Sequence, residues 1–178
     1  MSVSKFVKKM MFSQKLNFKE GEFELMDIRG LMLPVETFGG IIEREYNTSG
    51  EEIFDTLFEA GRSHGKLAID EIGRKNKASK KEFLSKLWDS ANMMGLGKLE
   101  LRNYTSKSYQ VRLTNSPIVG FLKNSEKTDG LDRPVAEITK GIGHGIAEEI
   151  FESEIESEFL KSEYKGDRET LISFEVVK

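Results

Sequence analysis

The chain has 178 residues, 27 Lys plus Arg against 30 Asp plus Glu, two His and no Cys. That length suits one compact domain, and the absence of thiols excludes disulfide scaffolds, cysteine-based zinc sites and thiol catalysis. A net charge of -3 argues against nucleic acid as the main partner, because phosphate binding draws on an excess of Lys and Arg.

No uncharged stretch approaches a membrane span, so the chain reads as soluble and cytoplasmic. Charged residues at 32%, with only Gln14 and Gln110 as glutamines, would suit a thermophile. Residues 1–19 hold five lysines and no acid and form a basic N-terminal arm ahead of a single domain at 20–178.

Phe23 with Leu25, and Leu31 with Leu33, predict two short strands around a turn at Asp27 to Gly30. Pro34 then opens a helix, with Val35, Phe38, Ile42 and Tyr46 at helical spacing. A second helix begins near Glu51 with the stripe Phe54, Leu57, Phe58, Gly61, Gly65, Ala68 and Ile72. Its two central glycines each cost about 1 kcal/mol against Ala, which is tolerable on a buried face only where another backbone comes close.

Ser79 and Glu82 have capping-box spacing and start a third helix with Phe83, Leu84, Leu87, Trp88, Ala91 and Met94 on its apolar face, ending at Gly95. Leu99 and Leu101, then Tyr109, Val111 and Leu113, predict a hairpin across Thr105 to Lys107. Residues 115–131 read as loop. Asp132 and Pro134 open a fourth helix with Val135, Ile138, Ile142, Ile146 and Ile150 on one stripe, flanked by Gly141 and Gly145. Ser153 to Phe159 alternates like a strand, and Leu171 to Val177 supplies the last one. The sum is an α+β domain, a small antiparallel sheet covered on one face by about four helices.

Gly141, Gly143 and Gly145 lie inside a helical pattern and lack a phosphate-loop context. Close packing of the helix with Gly141 and Gly145 against the helix with Gly61 and Gly65, within the subunit or across a dimer, accounts for them better. His144 and Glu148 have the i, i+4 spacing of two metal ligands, but two ligands do not make a site. No metal, cofactor or catalytic set is therefore expected. The glutamates from 148 to 158 read as a solvated strand face. Met26, Met32, Met93, Met94, Phe58, Trp88, Tyr109 and Phe121 would suit a deformable apolar cavity, although core packing alone produces the same set.

Several segments, in order, resemble the 4-vinyl reductase domain family: Glu59-Ala60-Gly61-Arg62 with Gly65, Gly95 to Lys98, Val111 to Ser116, and Pro134-Val135-Ala136 with Gly141 and Gly145. Gly166-Asp167 with Ser173 to Val176 completes the set, so the resemblance spans roughly residues 50–177. It implies a domain that binds a small apolar ligand and often pairs as a homodimer, related in fold to acyl-holding vesicle-tethering subunits and to sensor domains of aromatic-responsive activators. The family's cysteine positions fall here at Ala136, near Ser162 and near Ile172, which argues against metal.

Pocket positions carried over from the resemblance fall around Leu113 and Leu84 to Trp88. With the aromatic residues read above, the expected ligand-binding set is Phe58, Leu84, Leu87, Trp88, Leu113 and Phe121. The expectation is a sensor or regulatory domain for a hydrocarbon or acyl-like molecule, acting through a protein partner, with no nucleic acid or membrane partner. Tetrapyrrole 4-vinyl reduction and a ligand-free adaptor are the alternatives. The first is disfavoured because the chain has no nicotinamide, flavin or iron–sulfur fingerprint.

Overall fold

A computed structural model describes residues 16–19, 22–25, 28–30, 33–73, 79–92, 95–125 and 136–177. Met26, Met32, Met93, Met94, Pro134 and Val135 lie outside the described residues, as does the basic arm up to residue 15. The described chain begins with an antiparallel meander, β1 (Leu16–Lys19), β2 (Glu22–Leu25) and β3 (Ile28–Gly30). This corrects the expected pair of strands: Ile28–Gly30, expected in a turn, pairs with β2, the end of the arm supplies an additional strand, and Leu31 lies outside the described residues.

Three helices follow, α1 (Val35–Ser49), α2 (Glu52–Gly73) and α3 (Lys80–Ala91). Strands β4 (Lys98–Arg102) and β5 (Ser108–Thr114) form the expected hairpin, closed by Thr105, whose Oγ1 accepts from the Lys107 and Ser108 amides. A short helix α4 (Pro117–Lys123) replaces part of the loop expected at 115–131. Ser116 Oγ caps it by accepting from the Val119 amide, Pro117 sits in its first turn, and Ile118, Val119 and Leu122 are buried. Helix α5 (Glu137–Phe151) precedes β6 (Ile155–Lys161) and β7 (Thr170–Val176).

The second sheet is antiparallel throughout, in the order β4-β5-β7-β6. Its register sets rows of side chains on the helix-covered face: Leu99, Leu113 and Thr170; Leu101, Val111, Ile172 and Phe159; Tyr109, Phe174 and Ser157. Alternation does the rest, because period two sends Glu100 and Arg112 to the opposite face. There Glu100 takes Lys98, Arg102 and Arg112, while Glu169 takes Arg112 and Lys161. The chain is thus α+β, with a small antiparallel sheet and helices packed on it.

Helices α2 and α5 cross backbone against backbone. A Cβ on Gly61 would overlap the Ile138 carbonyl, and one on Gly65 would overlap the Ile142 carbonyl. From the other side, Gly141 has no room beside the Phe58 carbonyl, nor Gly145 beside that of Arg62. Successive turns of one helix meet successive turns of the other, so the two run side by side in the same direction.

Two residues along a helix is a rotation of about 200°, which turns Gly143 to the opposite side of α5. There its Cα takes the edge of the Phe174 ring, and its carbonyl accepts from Tyr109 Oη at 2.6 Å. Glycine therefore thins α5 on both flanks, letting one helix lie flush on α2 and on the sheet.

The contrast with Gly40, whose Cβ direction in α1 is open, separates propensity from packing. Gly40→Ala should raise stability by about 1 kcal/mol, or roughly 2–4 °C in the melting midpoint for a chain of this length. Gly141→Ala gains the same propensity, but overpacking of about 1–3 kcal/mol or more outweighs it. Thermal denaturation of the two variants should therefore move in opposite directions.

Candidate functional site

Helix α3 places its apolar residues at positions i, i+1, i+4, i+5 and i+8, which form one face. Phe83, Leu84, Leu87, Trp88 and Ala91 are all buried on it, and Trp88 is only 1% exposed. The cap expected from Ser79 is present, its Oγ accepting from the Glu82 amide at 3.3 Å. Polar contacts at both ends tie α3 to other elements. At its start, Lys80 Nζ donates to the Ile150 carbonyl at the end of α5, 2.8 Å away. Just past its end, Asn92 pairs with both backbone groups of Leu99 on β4, accepting from the amide and donating to the carbonyl.

Leu84, Leu87, Trp88 and Leu113 belong to one hydrophobic cluster with Leu99, Tyr109, Val111, Ile172 and Phe174. Phe121 packs on its margin, its ring set where Gly39 of α1 has no side chain. Phe58 stands apart. It meets the His144 ring edge-on, centroids 5.2 Å apart, and Lys140 Nζ lies 5.1 Å over its ring and 4.8 Å over that of Phe159. Leu84, Leu87, Trp88 and Leu113 thus lie within the buried core and Phe121 packs against it, while Phe58 lies on the flank where α2, α5 and β6 meet.

Two polar groups inside this core behave differently. Tyr109 is fully buried, burial pushes its phenol well above the usual range, and its hydroxyl is spent on the Gly143 carbonyl. The Trp88 Nε1–H is buried as well and has no acceptor among the described residues. A buried indole N–H ordinarily finds one, and leaving it unmade forfeits about 1–3 kcal/mol. Sequence reasoning placed Trp88 on the apolar wall and missed its role as an unsatisfied donor, because periodicity reports faces and not hydrogen bonds.

The Phe58 flank carries the ionic contacts. Arg62 of α2 grips Glu148 of α5 with two bonds, Nη2 to Oε1 at 2.6 Å and Nε to Oε2 at 2.8 Å, and Lys66 adds a third at 3.2 Å. The hydrogen bond from Arg62 holds the Glu148 carboxyl down at about 2 against the opposing effect of burial. His144 shares a 3.0 Å hydrogen bond with Ser157, and its Nε2 is 3.8 Å from Glu148. Burial lowers the pKa of His144, with the Glu148 charge working against it, and burial lowers that of His64. Among the described residues, no group of three His, Asp or Glu is placed to hold a metal ion, and no helix is long and apolar enough to cross a membrane.

No protein-family model matches the chain, and no curated protein sequence is similar to it. Solved structures do share its fold. The phenol-responsive sensory domain of the transcription activator PoxR, determined with phenol, superposes with a TM-score of 0.79 at 14% identity, covering 98% of this chain and 92% of that one. Subunit 3 of a trafficking protein particle complex from Naegleria fowleri, covalently bound to palmitic acid, gives 0.52 at 17% identity over 81% and 95%. A vinyl-4-reductase family protein from Methanocaldococcus jannaschii gives 0.49 at 21% identity over 84% and 85%. At these identities the likeness is one of fold, and the short motifs that resemble the family are not accompanied by a match of sequence.

The Arg62–Glu148 pair has a pH signature. A carboxyl held below its unfolded value adds stability that is fully present above about 4.5 and is lost as pH falls toward 2. Glu148→Gln should therefore cost about 1–2 kcal/mol at pH 7, allowing for solvent screening of the partly exposed Arg62. The difference from wild type should close as pH is lowered from 5 to about 2, read by thermal or urea denaturation at each pH.

Proposed function

We propose that the chain is a small-molecule-binding, sensory domain that takes a compact, largely apolar ligand carrying one hydrogen-bond acceptor into the core beside Trp88. The observation that carries this reading is the Trp88 Nε1–H, 1% exposed and without an acceptor among the described residues. The cluster it belongs to is otherwise made of hydrophobic side chains, with the Tyr109 hydroxyl already bonded to Gly143, so a ligand needs one oxygen or nitrogen for the indole and hydrocarbon for the rest. Leu84, Leu87, Leu113 and Phe121 supply the apolar wall. Burial of ligand surface contributes about 25 cal/mol per Å², and the acceptor recovers the hydrogen bond that the indole otherwise forgoes.

The fold likeness supports the reading without fixing the ligand. Phenol is an aromatic ring with one hydroxyl, and palmitic acid is a hydrocarbon chain with one polar end. A pure hydrocarbon would leave the indole unpaired, whereas an acyl chain would have to bring its carbonyl to Trp88. Occupancy is reported by a shift in population that a second copy of the chain or a protein partner reads.

Trp88 is the chain's sole tryptophan, so its fluorescence reports the site without labelling. Solvent extraction of the purified protein should release one small molecule per chain, and phenol, octanol or palmitate should alter the indole emission. Trp88→Phe should weaken acceptor-bearing ligands by about tenfold, leaving toluene unaffected; titration by calorimetry gives both. A protein that yields no extractable molecule and whose emission ignores all of these compounds is not such a sensor.

A further inference from the structure

The flank away from the Trp88 core carries a line of polar side chains along α5. Lys140, His144 and Glu148 stand at i, i+4 and i+8, one above another on one face, with side chains 15%, 13% and 17% exposed. Phe58, Arg62 and Lys66 keep the same spacing on α2 and meet them from one side, while Ser157 and Phe159 of β6 meet them from the other. The fold thus adds a third group, Ser157, to the His144 and Glu148 spacing.

These three groups stand in a chemical order. Ser157 Oγ and His144 Nδ1 are 3.0 Å apart, and His144 Nε2 faces Glu148 Oε1 at 3.8 Å. Arg62 and Lys66 keep Glu148 a carboxylate at neutral pH, so it draws the imidazole proton to Nε2. Nδ1 is then the acceptor and the Ser157 hydroxyl its donor. The charges facing the ring are Glu59 and Arg62 from α2 and Lys140 and Glu148 from α5, and burial, the largest influence, favours the neutral base.

Strand β6 is an edge of its sheet. The Val177 amide donates to the Glu154 carbonyl, so in this antiparallel register Glu154, Glu156 and Glu158 bond toward β7, and Ile155, Ser157 and Phe159 turn their backbone groups outward. Ser157 is partly exposed. Its own N–H therefore lies on the open edge beside its hydroxyl, a donor for an oxyanion formed at the carbon that Oγ attacks.

We propose that Ser157, His144 and Glu148 form an acyl-transfer site that hydrolyses small carboxylic esters. Ser157 Oγ attacks the ester carbonyl carbon as its proton passes to His144 Nδ1. The bond from that carbon to the alcohol oxygen breaks, and the alcohol leaves with the proton. Water then attacks the acyl-serine and gives a proton to His144, which returns it to Ser157 Oγ as the acid is released. Ser157 and His144 are the catalytic residues, and Glu148 is a positioning residue that fixes the tautomer. Phe58 and Phe159 offer the acyl group an apolar wall, and Lys140, over both rings, brings positive charge one turn before His144. The site is separate from Trp88 and does not rest on it.

A fluorophosphonate traps such a serine, its phosphorus bonding to Oγ as fluoride leaves. Mass spectrometry of the purified wild-type chain should find one label, at Ser157, and the unlabelled protein should turn over p-nitrophenyl acetate. Ser157→Ala should abolish the labelling and His144→Gln should slow it about a hundredfold or more, while Ser153→Ala, in the exposed turn before β6, should leave it unchanged. In wild type the rate should fall as acid protonates His144. Glu148→Gln should move that midpoint to lower pH, because the carboxylate charge favours the imidazolium, a change that a merely structural Glu148 would not produce. Wild type that takes no label, carries it elsewhere than Ser157, or releases no more than one p-nitrophenolate per chain overturns the proposal, whatever the variants do. So does labelling of Ser157 at a rate indifferent to pH and to His144→Gln.

Discussion

Helix α5 can lie against α2 on one side and the sheet on the other only because Gly141 and Gly145 face the first and Gly143 the second. An added methyl at Gly61, Gly65, Gly141 or Gly145 would meet a carbonyl of the opposing helix, which cannot rotate away as a side chain can. Dispersion between two backbones at this range is large in sum, and the Arg62–Glu148 pair fixes the register of the two helices along their length. The sheet then takes its place through Tyr109 and Phe174, one bonded to the Gly143 carbonyl, the other packed on its Cα. Burial of the Tyr109, Val111 and Leu113 row follows from that placement.

The remaining helices are positioned from this frame. Lys80 finds the end of α5, Asn92 finds β4, and the apolar face of α3 is drawn into the cluster between them. In that cluster Tyr109 has its hydrogen bond, and Trp88 has no acceptor among the described residues. Because buried polar groups are nearly always satisfied, the Trp88 indole, buried without an acceptor among the described residues, stands out in this cluster. On the proposed reading, that donor is what a ligand with one acceptor would meet.

Most of the architecture was legible in the sequence because it is written in periodicity. The stripes of α1, α2, α3 and α5 and the alternation of β4 to β7 are signals of one element at a time. Gly61 and Gly65 on an apolar stripe could be read as a backbone contact, since a mid-helix glycine needs a reason. What escaped were features set by neighbours distant in sequence. Helix α4 is seven residues long, too short for a periodic pattern, though Ser116 and Pro117 mark its start. Phe58 shares the α2 stripe with Leu57 but turns toward His144 and Lys140 because α5 crosses close beside it. The Lys80 and Asn92 ties, and the lone donor of Trp88, depend on where α5 and β4 lie and have no local trace.

The most direct measurement of the central claim is the proton–nitrogen correlation of the single indole, recorded by NMR on the ligand-stripped protein and followed after transfer to heavy water. The expected result is an indole proton upfield of the hydrogen-bonded range that nevertheless exchanges slowly, the mark of a donor that is buried and unpaired. It should move downfield when an acceptor-bearing ligand is restored. A resonance already at the hydrogen-bonded position in the stripped protein would contradict the account, for the indole would then have its acceptor and no need of a ligand.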